Sequence, residues 1–350
     1  MTRYPFLARL PRRRFMAGLG GLAATAVVPS WRGASAQDAP VPVPVPVPVP
    51  QAQPQVFDLD WVDTARQRPV PVRLHLPGEG SAVRPLPVVV FSHGIGGSRR
   101  GYSYLGRHFA SHGIASLHLQ HVGSDRSLWG GSVWGLMGRL QGAAQEAEAL
   151  ARVQDLRFAL DTLLAGDLAP RFDAERIVAA GHSYGANTTL LSAGARVPRD
   201  GRDLVLRDDR VRAAIAISAP PFYGRDDMRS ILGDIAVPSL HVTATEDVIR
   251  IPGYFSGAAD RVAVWEATGA ARATPKWLAV FEGGSHSMFT DRAGTGGPVL
   301  NPQVKAATKT LALAFVQTVF GADDTALRAW PQQHAAILAR FEAAPAPRGA

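Results

Sequence analysis

The stretch IVAAGHSYGANTT, residues 177–189, decides the predicted fold of this chain. Its first four residues are apolar, which predicts a buried strand, and the small and polar residues at its end predict the start of a helix. Between them, Ser183 lies in a Gly-x-Ser-x-Gly frame formed with Gly181 and Gly185. A tight strand-to-helix turn of this kind is a nucleophile elbow, because the glycines make room for a backbone that exposes the serine hydroxyl. We therefore predict that Ser183 is a catalytic nucleophile.

Short apolar runs and helical patterns alternate along the chain on both sides of this turn. A leading antiparallel pair of strands is expected at 56–62 and 70–76. Further strands are expected at 86–91, 114–119, 176–180, 211–218, 237–243 and 277–281. Helices are expected at 102–111, 143–164, 186–193, 304–319 and 326–341, the last broken at Pro331. This alternation predicts the α/β class, with a mostly parallel, doubly wound sheet and helices on both faces.

A serine hydroxyl is a weak nucleophile and needs a base to take its proton. His286 lies in a loop with two glycines after the last predicted strand of the sheet, and we predict that it is this base. Asp247 follows the preceding strand and is predicted to orient His286, with Glu246 as the alternative and Asp125 as the next candidate. The other histidines beside or after Ser183 are expected to have different roles: His182, His241 and His334.

Two backbone amides are needed to stabilise the oxyanion that forms during attack on an ester. The first is expected from Tyr184, the residue after the predicted nucleophile. The second is expected from Ile95, in the glycine-rich loop that follows the strand at 86–91. His93, in the same loop, is interpreted as a residue that shapes the loop, because one base is sufficient for the reaction.

The charge of the chain does not indicate a nucleic-acid partner. The formal net charge is +8, but six of the 37 lysines and arginines lie in residues 1–36, which leaves 31 basic against 29 acidic residues. A body so near neutrality lacks the basic surface that phosphate backbones require. The chain contains no cysteine, which excludes disulfides, thiolate metal ligands and a cysteine nucleophile. No metal site and no cofactor are expected.

The two ends of the chain are expected to lie outside the folded domain. Residues 1–36 contain an Arg12-Arg13 pair, a short apolar run and an Ala-x-Ala site, as in a twin-arginine signal peptide. This pattern predicts export to the periplasm or secretion, and a mature chain without a transmembrane segment. Residues 37–54 are rich in Val-Pro repeats and are interpreted as a linker. The folded domain is expected at 55–342, followed by a disordered tail at 343–350.

The elbow, the donor loop and the order of acid and histidine resemble the α/β-hydrolase superfamily. Within it, residues 88–127 are similar to platelet-activating-factor acetylhydrolases and to the bacterial proteins called predicted dienelactone hydrolases, with further similar stretches to about residue 290. The resemblance implies an α/β-hydrolase fold and hydrolysis of a carboxylic ester with a modest acyl group. The chain departs from dienelactone hydrolases, which use a cysteine nucleophile. It also lacks an acid at 216–220, where plasma-type acetylhydrolases carry theirs.

The substrate is expected to be a small-molecule, lipid or polymer ester. The segment 121–140 carries Trp129 and Trp134 among glycines, and we predict that it forms an apolar wall over the site. A helix packed onto the body is the alternative interpretation of this segment. An exported polyesterase, a lipid acetylhydrolase and a non-catalytic binding protein of the same fold remain alternative functions. The sequence does not indicate an oligomeric state.

Overall fold

The computed structural model describes residues 53–79, 85–222, 227–251, 254–292, 294–321 and 323–344. The predicted signal peptide, the linker up to residue 52 and residues 345–350 lie outside the described part of the chain. Among the described residues, every helix is too short or too polar to cross a bilayer.

The described elements follow one another as strands and helices along most of the chain. The strands are β1 Gln55–Asp63, β2 Arg68–Leu76, β3 Leu86–Ser92, β4 Ala115–Leu119, β5 Phe172–His182, β6 Arg196–Arg199, β7 Arg202–Val205, β8 Val211–Ile217, β9 Ser239–Glu246, β10 Ile249–Ile251, β11 Tyr254–Ser256, β12 Lys276–Ser285 and β13 Leu338–Ala344. The α-helices are α1 Ser103–Ser111, α2 Leu136–Ala143, α3 Glu146–Ala165, α4 Tyr184–Ala193, α5 Met228–Leu232, α6 Ala258–Ala267, α7 Leu300–Gly321 and α8 Thr325–Gln333. Short 3₁₀ turns lie at Arg126–Trp129, Val133–Gly135, Ala169–Arg171, His286–Phe289 and Ala335–Ile337.

Nine of the described strands form one sheet in the order β1-β2-β4-β3-β5-β8-β9-β12-β13. The six strands from β4 to β12 run parallel to one another, whereas β1, β2 and β13 are antiparallel to their neighbours. The hairpins β6–β7 and β10–β11 stand outside this sheet. The predicted α/β class with a mostly parallel sheet is therefore confirmed.

Helices cover both faces of the sheet, and each face has its own apolar core. Successive side chains of a strand point to opposite faces, so Val88 and Val90 of β3 pack into one core and Val89 and Phe91 into the other. The first core includes buried residues of α3 and α4, and the second includes buried residues of α1 and α7. Burial on both faces explains why the parallel strands are continuous apolar runs in the sequence.

The carboxyl ends of the parallel strands meet along one edge of the sheet. There, Ser92 at the end of β3 lies opposite Gly181 of β5, and Ile217 of β8 lies opposite both His182 and Val242. The loops that leave this edge carry the predicted nucleophile, acid, base and oxyanion donors. In open α/β sheets, ligands bind in the crevice outside this edge.

The predicted helix at 326–341 is wrong over its second half. Helix α8 ends at Gln333 and contains Pro331 near its last turn, so the proline does not break it in the middle. Residues 338–344 form β13, which pairs with the outer edge of β12 and satisfies its backbone donors and acceptors. The predicted domain boundary at residue 342 consequently falls inside a strand, and the tail predicted from residue 343 includes its last two residues.

Buried histidines are frequent in the core, and His75 is the least well satisfied of them. It lies in β2 with 1% of its surface exposed, and neither ring nitrogen has a hydrogen-bond partner among the described residues. Its ring centroid is 4.9 Å from that of His118 in β4. Burial and, to a smaller extent, the charge of His118 lower the pKa of His75 to about 3. The imidazole is therefore neutral in the folded protein.

Replacing His75 by leucine is expected to make the protein less sensitive to acid. Between pH 6.5 and about 3, the unfolded chain binds a proton at His75 that the folded chain does not. The parent therefore loses up to about 1.4 kcal/mol of unfolding free energy per pH unit as the pH falls through this range. Denaturant titrations at pH 8, 6 and 4 should show the free energy of unfolding of the variant rising relative to that of the parent, by about 3 kcal/mol between pH 8 and pH 4. The exposed His112→Gln serves as control, and a pH-independent difference would contradict the prediction.

Candidate active site

Ser183 lies between the end of β5 and the start of α4, with a backbone that few side chains adopt. Its φ and ψ are 57° and −123°, and its amide donates to the carbonyl of Ile217 at 2.9 Å. A non-glycine residue in such a conformation costs about 1–3 kcal/mol and is held by its surroundings. The turn directs the serine side chain out of the sheet edge, as the elbow interpretation expects.

Both glycines of the frame are required by space. A Cβ atom at Gly181 would overlap the carbonyl of Gly185, and one at Gly185 would overlap the carbonyl of Ser92 at the end of β3. The backbone of the elbow therefore contacts itself and the neighbouring strand directly. An ordinary turn would not need a glycine on each side of the serine, which explains the spacing in the sequence.

Three of the predicted site residues form a chain of hydrogen bonds. The hydroxyl of Ser183 is 2.8 Å from Nε2 of His286, and Nδ1 of His286 is 2.7 Å from Oδ1 of Asp247. Because the carboxylate can only accept, Nδ1 carries the proton and Nε2 is free to accept the hydroxyl proton. His286 reaches this position from the 3₁₀ turn after β12, and its side chain is 17% exposed.

Asp247 is fully buried, whereas its neighbour Glu246 is exposed. Oδ2 of Asp247 accepts a hydrogen bond from the Thr243 hydroxyl at 2.8 Å. Burial is the largest single influence and would raise the pKa of Asp247, but the hydrogen bond and charge of His286 and the charge of Arg261 together outweigh it and hold the pKa well below its usual range. The other candidate acid, Asp125, instead accepts from the amide and the hydroxyl of Ser127.

A second charge lies behind this carboxylate and was missed by the sequence analysis. Arg261 of α6 is 2% exposed, and its Nη2 is 3.6 Å from Oδ1 of Asp247. Its Nη1 donates to the hydroxyl of Ser256, which also donates to Asp260. The guanidinium thus favours the ionised form of Asp247. Arg261 lies next to Asp260 in a helix that the sequence analysis does not predict, so the sequence carries no distinct signal for this role.

His182 supports the backbone of His286. Its Nε2 donates to the carbonyl of His286 at 2.9 Å, and its Nδ1 accepts from the hydroxyl of Tyr102 at 2.8 Å. Burial and, second, the charge of His286 lower the pKa of His182 to about 3, so that it stays neutral. The structure places His182 beside His286, the predicted base.

The loop after β3 approaches Ser183 closely, as expected for an oxyanion donor. A Cβ atom built at Gly94 would lie 3.1 Å from Cβ of Ser183. Among the described residues, the amides of Ile95 and Tyr184 have no hydrogen-bond partner. His93 fixes this loop through both ring nitrogens. Its Nδ1 donates to the Gly94 carbonyl at 2.7 Å, and its Nε2 accepts a hydrogen bond from the His121 amide at 3.1 Å.

The tryptophans of the segment 121–140 lie in different environments. The indole of Trp129 donates to the carbonyl of Gly96 at 2.9 Å, which places this ring against the donor loop. Its side chain nevertheless remains 51% exposed. Trp134 is 96% exposed, and Val133 beside it is 81% exposed. The segment therefore presents apolar side chains to solvent next to the loop that approaches Ser183.

One comparison with known proteins bears on this arrangement. Residues 76–129 match the family model described as platelet-activating factor acetylhydrolase, isoform II. This range contains β3, the donor loop, α1 and β4, and it confirms the family resemblance that was predicted for residues 88–127. No curated protein matches the chain. The match indicates a hydrolase of the lipase or esterase type, and it ends before Ser183.

Proposed function

Because the chain has the α/β-hydrolase fold and resembles the platelet-activating factor acetylhydrolase family, we propose that it is a serine hydrolase that cleaves carboxylic esters. One observation carries this proposal: a serine on an elbow is hydrogen-bonded to His286, and His286 is hydrogen-bonded to the buried Asp247. A nucleophile, a base and an orienting carboxylate in this geometry are sufficient for acyl transfer.

In the proposed reaction, the hydroxyl oxygen of Ser183 attacks the ester carbonyl while Nε2 of His286 takes the hydroxyl proton. The ionised Asp247 stabilises the imidazolium that results. The free amides of Ile95 and Tyr184 donate to the oxyanion of the tetrahedral intermediate. His286 then gives its proton to the leaving alcohol, and an acyl-enzyme remains. Water, activated by the same histidine, attacks the acyl-enzyme and releases the acid.

The substrate class is proposed from the exposed apolar segment beside the site. We expect nitrophenyl esters of two to four acyl carbons to be cleaved, with kcat/KM rising as the acyl chain lengthens toward the apolar side chains. Trp134→Ser should lower kcat/KM for an eight-carbon acyl chain about 5- to 20-fold, equivalent to about 1–2 kcal/mol of apolar contact, and leave the acetate ester unchanged.

The matched control is Val205→Ser, which removes an exposed apolar side chain from the hairpin β6–β7. Equal losses on short and long esters would remove Trp134 from the substrate site. Phospholipid vesicles and polyester films, assayed alongside, separate lipid acetylhydrolase and polyesterase activity from hydrolysis of soluble esters. A protein that cleaves none of these substrates would favour the non-catalytic binding role.

Export is part of the proposal and depends on the sequence alone. The arginine pair, the short apolar run and the Ala-x-Ala site in residues 1–36 support a cleaved twin-arginine signal and a mature chain that begins near Gln37. An ester hydrolase in the periplasm or outside the cell would meet its substrate there.

A further inference from the structure

Arg152 of α3 joins three separate parts of the site although its side chain is fully buried. Its Nε donates to the hydroxyl of Thr188 in α4 at 2.9 Å. Its Nη1 donates to the hydroxyl of Ser124, in the loop after β4, at 2.7 Å, and its Nη2 donates to the carbonyl of His93, in the loop after β3. One planar group therefore fixes the relative positions of the elbow helix and of both neighbouring loops.

The contacts of Arg152 lead directly to both oxyanion donors. His93 is two residues before Ile95, so the carbonyl that Arg152 holds belongs to the turn that carries the Ile95 amide. On the other side, the hydroxyl of Thr188 that accepts from Arg152 donates in turn to the carbonyl of Tyr184 at 3.2 Å. The guanidinium also lies over the Tyr184 ring, 4.6 Å from its centroid.

Arg152 is also an unusual buried charge. Among the described residues, no carboxylate oxygen lies within 4 Å of its guanidinium. The nearest link to an acid is indirect, because Ser124 donates to Glu148 at 2.7 Å and Glu148 pairs with Arg68. Burial lowers the pKa of Arg152 to about 10, so the side chain remains positively charged at neutral pH. Its field is therefore not cancelled by a direct ion pair.

We propose that Arg152 is a positioning residue for the oxyanion hole. It holds the Ile95 and Tyr184 amides at a fixed separation and places behind them a positive charge that has no direct ion-pair partner among the described residues. Negative charge develops at the ester oxygen only during the reaction, and a fixed charge in a dry site stabilises it without reorganisation. The inference rests on the proposed ester hydrolysis and assigns to that site a residue that does not touch the substrate.

The test compares Arg152→Met and Arg152→Lys with the parent enzyme on nitrophenyl acetate. Loss of one oxyanion donor lowers kcat by about 10²–10³-fold, and we expect Arg152→Met to fall in this range with KM within about threefold of the parent. Lysine keeps the charge but lacks the planar fork, and should lose about tenfold in kcat. Arg157→Gln, a partly exposed arginine of the same helix, is the control and should stay within about twofold.

A second readout separates positioning from a general structural role. A trifluoromethyl ketone adds to the serine and forms an oxyanion, so its inhibition constant should rise in each variant by the same factor as kcat/KM falls. A variant that is merely less stable would bind this inhibitor normally once folded. If folded Arg152 variants keep kcat, or lose it without weaker inhibition, the proposal is overturned.

Two milder variants keep the proposal testable if both Arg152 variants fail to fold. Thr188→Val and Ser124→Ala each remove one hydrogen bond of Arg152 and leave its charge in place. Each should lower kcat about 3- to 10-fold and raise the inhibition constant in parallel, and unchanged values in both would overturn the proposal. Failure of the proposed function looks different, because the parent would then neither hydrolyse esters nor react with a fluorophosphonate.

Discussion

Replacing Ser183 by alanine is expected to lower kcat for nitrophenyl esters by about 10⁴–10⁶-fold. The variant lacks the oxygen that His286 approaches to 2.8 Å, so no acyl-enzyme can form. The free amides and substrate binding remain, which leaves a small residual rate over water. Removing one hydroxyl from this half-buried serine leaves the backbone of the turn unchanged and should not unfold the protein. Steady-state kinetics and circular dichroism of the purified variant measure both effects.

The control for this experiment is Ser287→Ala, which removes a serine hydroxyl from the same loop as His286. It should retain activity within about threefold of the parent. A fluorophosphonate probe should label the parent and Ser287→Ala once per chain. It should not label Ser183→Ala. Labelling that persists in that variant would assign the nucleophile to another serine.

Replacing Asp247 by asparagine is expected to lower kcat by about 10⁴-fold. The amide can donate to Nδ1 of His286, which favours the tautomer that carries the proton on Nε2, so that His286 can no longer accept from Ser183. The imidazolium formed during the reaction would also lose its counter-charge. Kinetics at pH 8 measure the loss, and thermal unfolding shows whether Arg261, left without the carboxylate at 3.6 Å, destabilises the fold.

Glu246→Gln is the matched control, because the two acids are adjacent and differ in burial. This exposed side chain should change kcat by no more than about threefold. The reverse pattern would assign the orienting role to Glu246. Full activity in both variants would remove Asp247 from the mechanism, and Asp125, which accepts from Ser127 at the start of its 3₁₀ turn, would be tested next.

The strands of the parallel sheet could be predicted from the sequence because burial on both faces leaves a clear local signal. β3 lies at Leu86–Ser92, where an apolar run predicts a strand. β13 could not be predicted in this way. Ile337, Leu338 and Phe341 have a spacing that favours a helix, but the hydrogen bonds that make this segment a strand come from β12, over 50 residues earlier.

The residues of the candidate site also differ in whether the sequence alone could predict them. The elbow, the predicted base and the predicted acid follow strand ends, so their order along the chain indicated which side chains would meet at one edge of the sheet. Arg152 and Arg261 carry no such signal. Each is a charged residue within a helix, and its burial depends on partners in other elements, such as Thr188 at 36 residues from Arg152. An arginine of this kind cannot be distinguished from a solvent-exposed one before the fold is known.

The antiparallel strand β13 has a consequence for how a newly made chain acquires its site. Ribosomes synthesise proteins from the amino end, so the elbow at Ser183 and its flanking strands emerge well before residues 338–344. Until these last residues are released, β12 has only one neighbour in the sheet, and the loop that positions His286 leaves from an open edge strand. The serine therefore acquires its stably held base only after residues 338–344 are free to pair with β12, and a nascent chain that stops short of them would carry the elbow without a completed relay.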